Sequence, residues 1–299
     1  MADKRCSLKQ TRHPQLPYVV PTVTLTALLF IVPIVFVIFI SFTNYKLGTS
    51  FDKVSFYGLN NYIRLFNGTE SSFGFSIWIS LWLMVLGTAL QLLFGMICAL
   101  LLNHEFRGKA VAIACLVIPI AVTPSIIAQV WKLMFNSEFG VINYFLKMMF
   151  NTSVSWLDVN HAFLSVLIAT VWQYTPFVTL MLYAGMRSLP DSPYESAMIE
   201  GANKWQQFIY VTLPMMKRLI LLCTLLRSID MLKTFDIPYV LTQGGPGSAT
   251  KFLGLLIYDI GFGETNFVAR SAAISVILIL IVSVLSVFLF RLLSKSREA

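Results

Sequence analysis

Charged residues are scarce in this sequence. Asp, Glu, Lys and Arg make up 12% of its 299 residues, against about 25% in an ordinary soluble domain. Hydrophobic residues make up 57%, and the mean hydropathy is +0.75. No charged residue occurs between Glu70 and Glu105. A water-soluble globule is excluded, and lipid is the solvent for most of the surface. Histidine is nearly missing as well: His13, His104 and His161 fall in a tail and in loops. No metal-ligand or nucleophile–base pattern stands out, which argues against a membrane enzyme. Of the four cysteines, Cys98, Cys115 and Cys223 lie in hydrophobic runs and Cys6 in the N-terminal tail. They imply no disulfide framework. The phosphate-cradling pattern Gly-x-x-x-x-Gly-Lys-Ser/Thr is absent, so no nucleotide hydrolysis is expected of this chain. Period-two alternation is absent too, which excludes a membrane β-barrel. The first hydrophobic run is too long for a secretory signal and no small-residue cleavage site follows it, so no cleavable signal is expected.

What is present is a series of long apolar runs. A spanning helix needs roughly 20 mostly apolar residues. Six runs qualify: Val19–Phe42, Ile77–Asn103, Val111–Phe135, Ala162–Met186, Leu219–Leu241 and Ser271–Phe290. The fifth is the weakest by hydropathy, because it carries Arg227, Asp230, Lys233 and Asp236. The predicted fold is an all-α integral membrane protein. Six transmembrane helices form one domain over 19–292, between tails at 1–18 and 293–299. Thirteen of the 22 Lys and Arg residues fall on one side: the two tails, Arg107 and Lys109, and Arg187, Lys204, Lys217 and Arg218. Seven fall on the other side, and Arg227 and Lys233 lie in a span. The basic side is the cytoplasmic one, so both termini are expected in the cytoplasm. The net charge of +8 is thus an orientation signal, and nucleic acid is not an expected partner.

One cytoplasmic segment is unlike the rest. Residues 190–214 are polar and carry helix signals. Ser192-Pro193-Tyr194-Glu195 reads as a capping box, with Ser192 as N-cap and Pro193 at the first helical position. Gly201 permits a turn. Trp205, Phe208, Ile209 and Thr212 then share one face of a second short helix, and Pro214 is expected to end it. A lysine- and arginine-rich face would suggest a helix resting on lipid. Here Lys204 stands alone between Arg187 and Lys217. The residues leave two readings open, a membrane-surface loop and a docking element for a soluble partner.

The same residues resemble the "EAA" loop of permease subunits of binding-protein-dependent ABC importers. That pattern is Glu-Ala-Ala, three residues, Gly-Ala, then a Phe and a Leu-Pro. The chain has Glu195-Ser196-Ala197, Gly201-Ala202, Phe208 and Leu213-Pro214. Ser196 departs from Ala, and Glu200 stands where Asp commonly precedes the Gly. Gly58-Leu59-Asn60-Asn61-Tyr62, Leu189-Pro190, Thr234-Phe235-Asp236 and Tyr239 to Pro246 are similar to phrases of the carbohydrate-uptake, maltose-permease-like branch. The resemblance covers nearly the whole chain. It implies the type I importer fold in the bacterial cytoplasmic membrane. It implies a second, homologous permease subunit, two ATP-binding cassette ATPase subunits and an extracytoplasmic solute-binding protein. ATP and Mg would sit on the ATPase, with no cofactor on this chain. Glu195, Ala197, Gly201, Ala202, Phe208, Leu213 and Pro214 would couple ATPase closure to transport.

Two groups of residues are candidates for the solute path. Arg227, Asp230 and Lys233 are spaced by three, so neighbours share a helix face and can pair. Charges within a membrane usually face a bundle interior or a watery cavity. They are either a structural ion pair or a solute contact. The family comparison makes Arg227 and Asp230 the less usual pair. The second group is Trp172, Gln173 and Tyr174, beside Thr175 and the helix-disturbing Pro176. Rings beside amides and hydroxyls suit a sugar, although Trp and Tyr are also common at membrane interfaces. Gln129 and Gln91 are further polar candidates. Gly87 and Gly95 more naturally serve close helix packing. The solute is expected to be a sugar or oligosaccharide. The cations leave an acidic oligosaccharide or phosphorylated polyol open. A different class, an ion-coupled secondary transporter, would be expected to show an internal repeat or a coupling carboxylate. No repeat is evident, and Asp230 is the only mid-span acid.

Overall fold

The computed structural model describes residues 16–68, 72–263 and 265–295. The charges of residues 1–15 and Arg297, used above for orientation, lie outside the described residues. Among the described residues the regular structure is helical, with one isolated antiparallel bridge between Thr43 and Phe56. The first helix, α1 (Leu16–Ser41), packs on the last and turns the rest of its apolar surface outward. A short α2 (Asn60–Phe66) follows the Gly58–Tyr62 phrase. Its buried Asn61 explains that phrase. The Asn61 amide donates to the carbonyls of Ser41 and Thr43, each at 2.8 Å, and so satisfies groups that the end of α1 leaves open.

The second expected span is α3 (Phe73–Asn103). The third is not one helix. It is α4 (Lys109–Ala121) and α5 (Pro124–Met134), which meet at a bend of 100°. Pro124 is the cause: it lacks an amide hydrogen and pushes the preceding residue out of the helical region. Thr123 accordingly has ψ 143°. After α6 (Val141–Phe150), the fourth span is α7 (Ala162–Arg187), which runs unbroken through Pro176. Thr170, Thr175 and Thr179 donate their hydroxyls to carbonyls one turn back, at 2.7–3.0 Å, so none of these three is stranded in the apolar interior.

The polar segment forms α8 (Ser192–Ile199) and α9 (Lys204–Gln207). Here the expected end at Pro214 is corrected. The chain continues from α9 through one π turn at Phe208–Thr212 into α10 (Leu213–Leu232). The amide of Leu213 reaches back five residues to the Phe208 carbonyl. This wide turn precedes a proline that lacks a helix donor, so the helix passes Pro214 without a break. The fifth span also stops earlier than expected, at Leu232. Lys233 to Phe235 leave the helix, and α11 (Asp236–Leu241) starts a new one. Two more helices complete the chain, α12 (Leu253–Phe262) and α13 (Val268–Lys295). Among the described residues five helices are long and apolar enough to cross a membrane, with the stretch from α9 to α10 counted as one, and there are six if the bent α4–α5 pair is one span.

α3, α7 and α10 form the centre. Their approach depends on glycine, as expected. A Cβ on Gly95 would lie 2.7 Å from Val178 Cγ1 and 3.3 Å from the backbone nitrogen of Thr179. A Cβ on Gly87 would lie 2.6 Å from the tip of Met231. Ala99, Val178, Leu182 and Cys223 fill the space between the three helices. Leu65, Leu253, Leu256 and Ile274 form a second cluster where α2, α12 and α13 meet.

Candidate functional site

The break at Lys233–Phe235 creates a site. A cavity of 340 Å³ opens there, lined by Pro124, Tyr174, Arg227, Asp230, Lys233, Thr234, Phe235, Asp236 and Ile237. Pro124 comes from the elbow of the third passage and Tyr174 from α7. Arg227 and Asp230 come from the last turns of α10, and the rest from its frayed end and α11. Both helix interruptions missed at the sequence level therefore meet at one place. Unwound backbone at membrane depth is tolerated where it lines a cavity.

Arg227 is the fixed element. Its side chain is 4% exposed. Its Nε donates to Gln91 Oε1 at 2.8 Å, and the Gln91 amide donates to the Thr170 carbonyl at 3.3 Å. Its Nη1 donates to Asp230 Oδ2 at 3.1 Å. The guanidinium lies 4.3 Å from the centre of the Tyr174 ring. Lys233 Nζ approaches the other oxygen of Asp230 at 3.6 Å. One carboxylate thus sits between two cations. Asp236 adds a second carboxylate to the wall, and the four formal charges cancel. Phe235 is part of an aromatic group with Tyr239 and Tyr258, with ring centres 5.1–5.3 Å apart. No local pattern marks this group, since Tyr239 and Tyr258 belong to different helices.

The remaining path candidates lie elsewhere. Gln173 is buried and donates to the Val122 carbonyl at 3.3 Å; it braces the elbow instead of facing the cavity. Its Oε1 is buried without a partner. Trp172 is half exposed and packs edge-on to Trp131 at 5.8 Å. Gln129 is exposed on α5. Gln91, a minor candidate by sequence, holds the key arginine.

The polar segment forms a compact unit at the other end of α10. The capping box expected at Ser192 is not there. Asp191 is the N-cap and makes no side-chain cap, while Ser192 lies inside α8 and its carbonyl accepts from Ser196. The reciprocal box belongs to the next helix. Asn203 Oδ1 accepts from the Gln206 amide at 2.9 Å, and Gln206 Oε1 accepts from the Asn203 amide at 2.8 Å. Asn-x-x-Gln is the capping-box pattern that the sequence carries here. Gly201 has φ +81°, which glycine adopts without strain. The Ala202 amide closes the turn onto the Ala197 carbonyl at 2.9 Å. Phe208 is partly buried against Trp205, 5.6 Å between ring centres. Leu213 is partly buried and Pro214 exposed. Glu195 is exposed, and Met198, Ile199, Trp205 and Tyr210 present 57%, 88%, 66% and 75% of their surface.

Known proteins share this fold. Residues 91–298 match the family described as binding-protein-dependent transport system inner membrane component. The chain is 35% identical to the trehalose/maltose transport system permease protein MalF of Thermococcus litoralis, over 87% of this chain and 88% of that one. It is 31% identical to the sulfoquinovosyl glycerol transport system permease protein SmoG of Agrobacterium fabrum, over 84% and 83%. A chain of the bacterial alginate ABC transporter, crystallised with an alginate pentasaccharide-bound periplasmic protein, superposes with a TM-score of 0.78 at 19% identity, over 92% of each chain. That last likeness establishes the fold. On these grounds the chain belongs to the family of binding-protein-dependent transport system inner membrane components, as a multi-pass permease of the ABC importer type.

Proposed function

We propose that this chain forms half of the membrane path of an ATP-driven importer for neutral sugars or oligosaccharides. It pairs with a second, homologous permease in the bacterial cytoplasmic membrane, with both termini and α8 in the cytoplasm. A solute-binding protein delivers sugar from outside. Two ATPase subunits carry ATP and Mg, and this chain carries no cofactor. The segment around α8 receives the ATPase. Its exposed Met198 and Ile199 offer an apolar tip for a soluble partner, beside the acidic Glu195 and Glu200.

The observation that carries the substrate class is the cavity around Arg227. Its formal charges cancel, it mixes donors with acceptors, and rings flank it. A sugar has apolar faces and polar edges, and such a wall suits both. An acidic oligosaccharide would bring a charge that the cavity does not complement, because Asp230 and Asp236 offset Arg227 and Lys233.

The test is the whole complex in proteoliposomes, with ATPase subunits and binding protein. Neutral oligosaccharides are expected to stimulate ATP hydrolysis more than uronic-acid oligosaccharides of equal length. The reverse order would overturn the neutral assignment. Uptake that survives without ATP and collapses with an ionophore would overturn the importer reading itself.

A further inference from the structure

A side-chain hydrogen bond ties α8 of the polar segment to the entry of α10, and it has a specific chemistry. The Tyr194 hydroxyl of α8 lies 2.9 Å from Thr212 Oγ1. Thr212 is 6% exposed and is the last residue of the π turn that leads into α10. Its hydroxyl also reaches the Gln207 carbonyl at 3.4 Å. Gln207 in turn donates its side-chain amide to the Ala202 carbonyl at 3.0 Å, next to the Gly201 turn. These bonds make a closed loop: α8, the π turn, α9 and back to the turn after α8. Beneath it is a polar crevice of 450 Å³, bounded by Asn103 of α3, Arg187 at the end of α7, Asp191, Tyr194 and Thr212. Beyond the crevice, α8 reaches the membrane helices through the π turn. From Thr212 the helix runs without a break to Arg227 and Asp230.

We propose that Tyr194 is a positioning residue for transport: its hydroxyl, bonded to Thr212, is the clamp through which movement of α8 becomes movement of α10. A π turn is rare inside an α-helix and commonly marks a functional site. A segment joined to α10 through that irregular turn alone has a place to bend. The Tyr194–Thr212 bond crosses the turn and stiffens it, so a push on α8 reaches the cavity wall instead of being absorbed. The proposal rests on reading α8 as the ATPase contact.

The test uses the complete transporter in proteoliposomes, with uptake and ATP hydrolysis measured together. Tyr194→Phe removes one oxygen and keeps the ring. Thr212→Val removes the same bond from the other side, together with the long 3.4 Å contact to the Gln207 carbonyl, and Thr212→Ser keeps the hydroxyl. Sugar carried per ATP hydrolysed is expected to fall about fivefold in Tyr194→Phe, the worth of one hydrogen bond. Thr212→Val is expected to match it, the double variant to be no worse than either single, and Thr212→Ser to recover most of the ratio. ATPase co-purification is expected to stay intact. An unchanged ratio in Tyr194→Phe and Thr212→Val overturns the clamp, and so does loss of co-purification in Tyr194→Phe. Ile199→Asp separates the two layers. It is expected to lose the ATPase. If it assembles and transports normally, the ATPase-contact reading fails whatever Tyr194 does. If it dissociates while Tyr194→Phe transports at full ratio, that reading stands and the clamp does not.

Discussion

Replacing Asp230 by Asn probes the cavity most directly. The carboxylate lies 3.1 Å from Arg227 Nη1 and 3.6 Å from Lys233 Nζ. Asparagine keeps the shape and one acceptor oxygen and removes the negative charge. Arg227, with 4% of its side chain exposed, is then left with Gln91 and the Tyr174 ring. Breaking a fully buried pair costs about 3–5 kcal/mol. Here Asp230 is 53% exposed, so water offsets much of that, and the expected loss is about 1–2 kcal/mol. Arg227→Met removes the cation instead. The carboxylate it leaves is half exposed and still beside Lys233, so the loss is expected to be about 1 kcal/mol or less. The double variant leaves no bare buried charge and should melt above Asp230→Asn alone. Melting curves of the purified complex give this order. Transport gives a second reading. Asp230→Asn changes the formal charge of the cavity from zero to plus one. Inhibition of sugar uptake by a uronic-acid sugar should strengthen relative to a neutral sugar by about tenfold, the equivalent of ~1.4 kcal/mol. A variant that melts with the wild type and keeps the same preference would refute the electrostatic account.

Three further outcomes are expected. Gly95→Ala should lower stability by about 1–3 kcal/mol through overpacking against Val178 and Thr179. Val178→Ala in the same chain should recover part of it, as melting of the two variants will show; Gly87→Ala should be milder, because the atom it meets is the tip of a flexible methionine. Gly201→Ala meets no atom within 4 Å, so its cost of about 1 kcal/mol comes from φ +81° alone. Uptake should fall in Gly201→Ala and more in Gly201→Pro, whose ring fixes φ near −65°, while Gly201→Asn should stay closest to wild type; equal uptake in all three would remove the turn from the mechanism. Asn203→Ala should cost about 1 kcal/mol by opening the cap of α9, seen as faster hydrogen exchange at residues 204–207, whereas Ser192→Ala should leave exchange in α8 unchanged.

The comparison between α8 and α9 shows how far local signals reach. Short patterns that signal a helix start compete along this segment. Ser-Pro and Asn-x-x-Gln each announce a helix start, and only the backbone at Asp191 and Asn203 decides which side chain turns inward. Prolines posed the same problem. Pro124 breaks the third passage, yet Pro176 leaves α7 continuous and Pro214 follows a π turn that the helix passes through. The residue is identical in each case. What differs is the adjoining backbone: Thr123 is extended before Pro124, α7 stays helical around Pro176, and a π turn precedes Pro214.

Composition and residue spacing alone establish the solvent, the structural class and two polar segments that stand apart. Long runs without charge can persist only in lipid, and α-helices alone satisfy their backbone within such runs. The spacing from Glu195 to Gly201 to Leu213-Pro214 marked the polar segment, and the threefold spacing of Arg227, Asp230 and Lys233 marked the charged one. Tertiary structure decided what these residues do together. It brought Gln91 and Tyr174 to Arg227 from two other helices. It bent the third passage so that Pro124 closes the cavity, and it laid Tyr194 on Thr212. Those contacts join residues between 18 and 136 positions apart. Periodicity reports only on neighbours along one helix, so contacts of that length are fixed by packing.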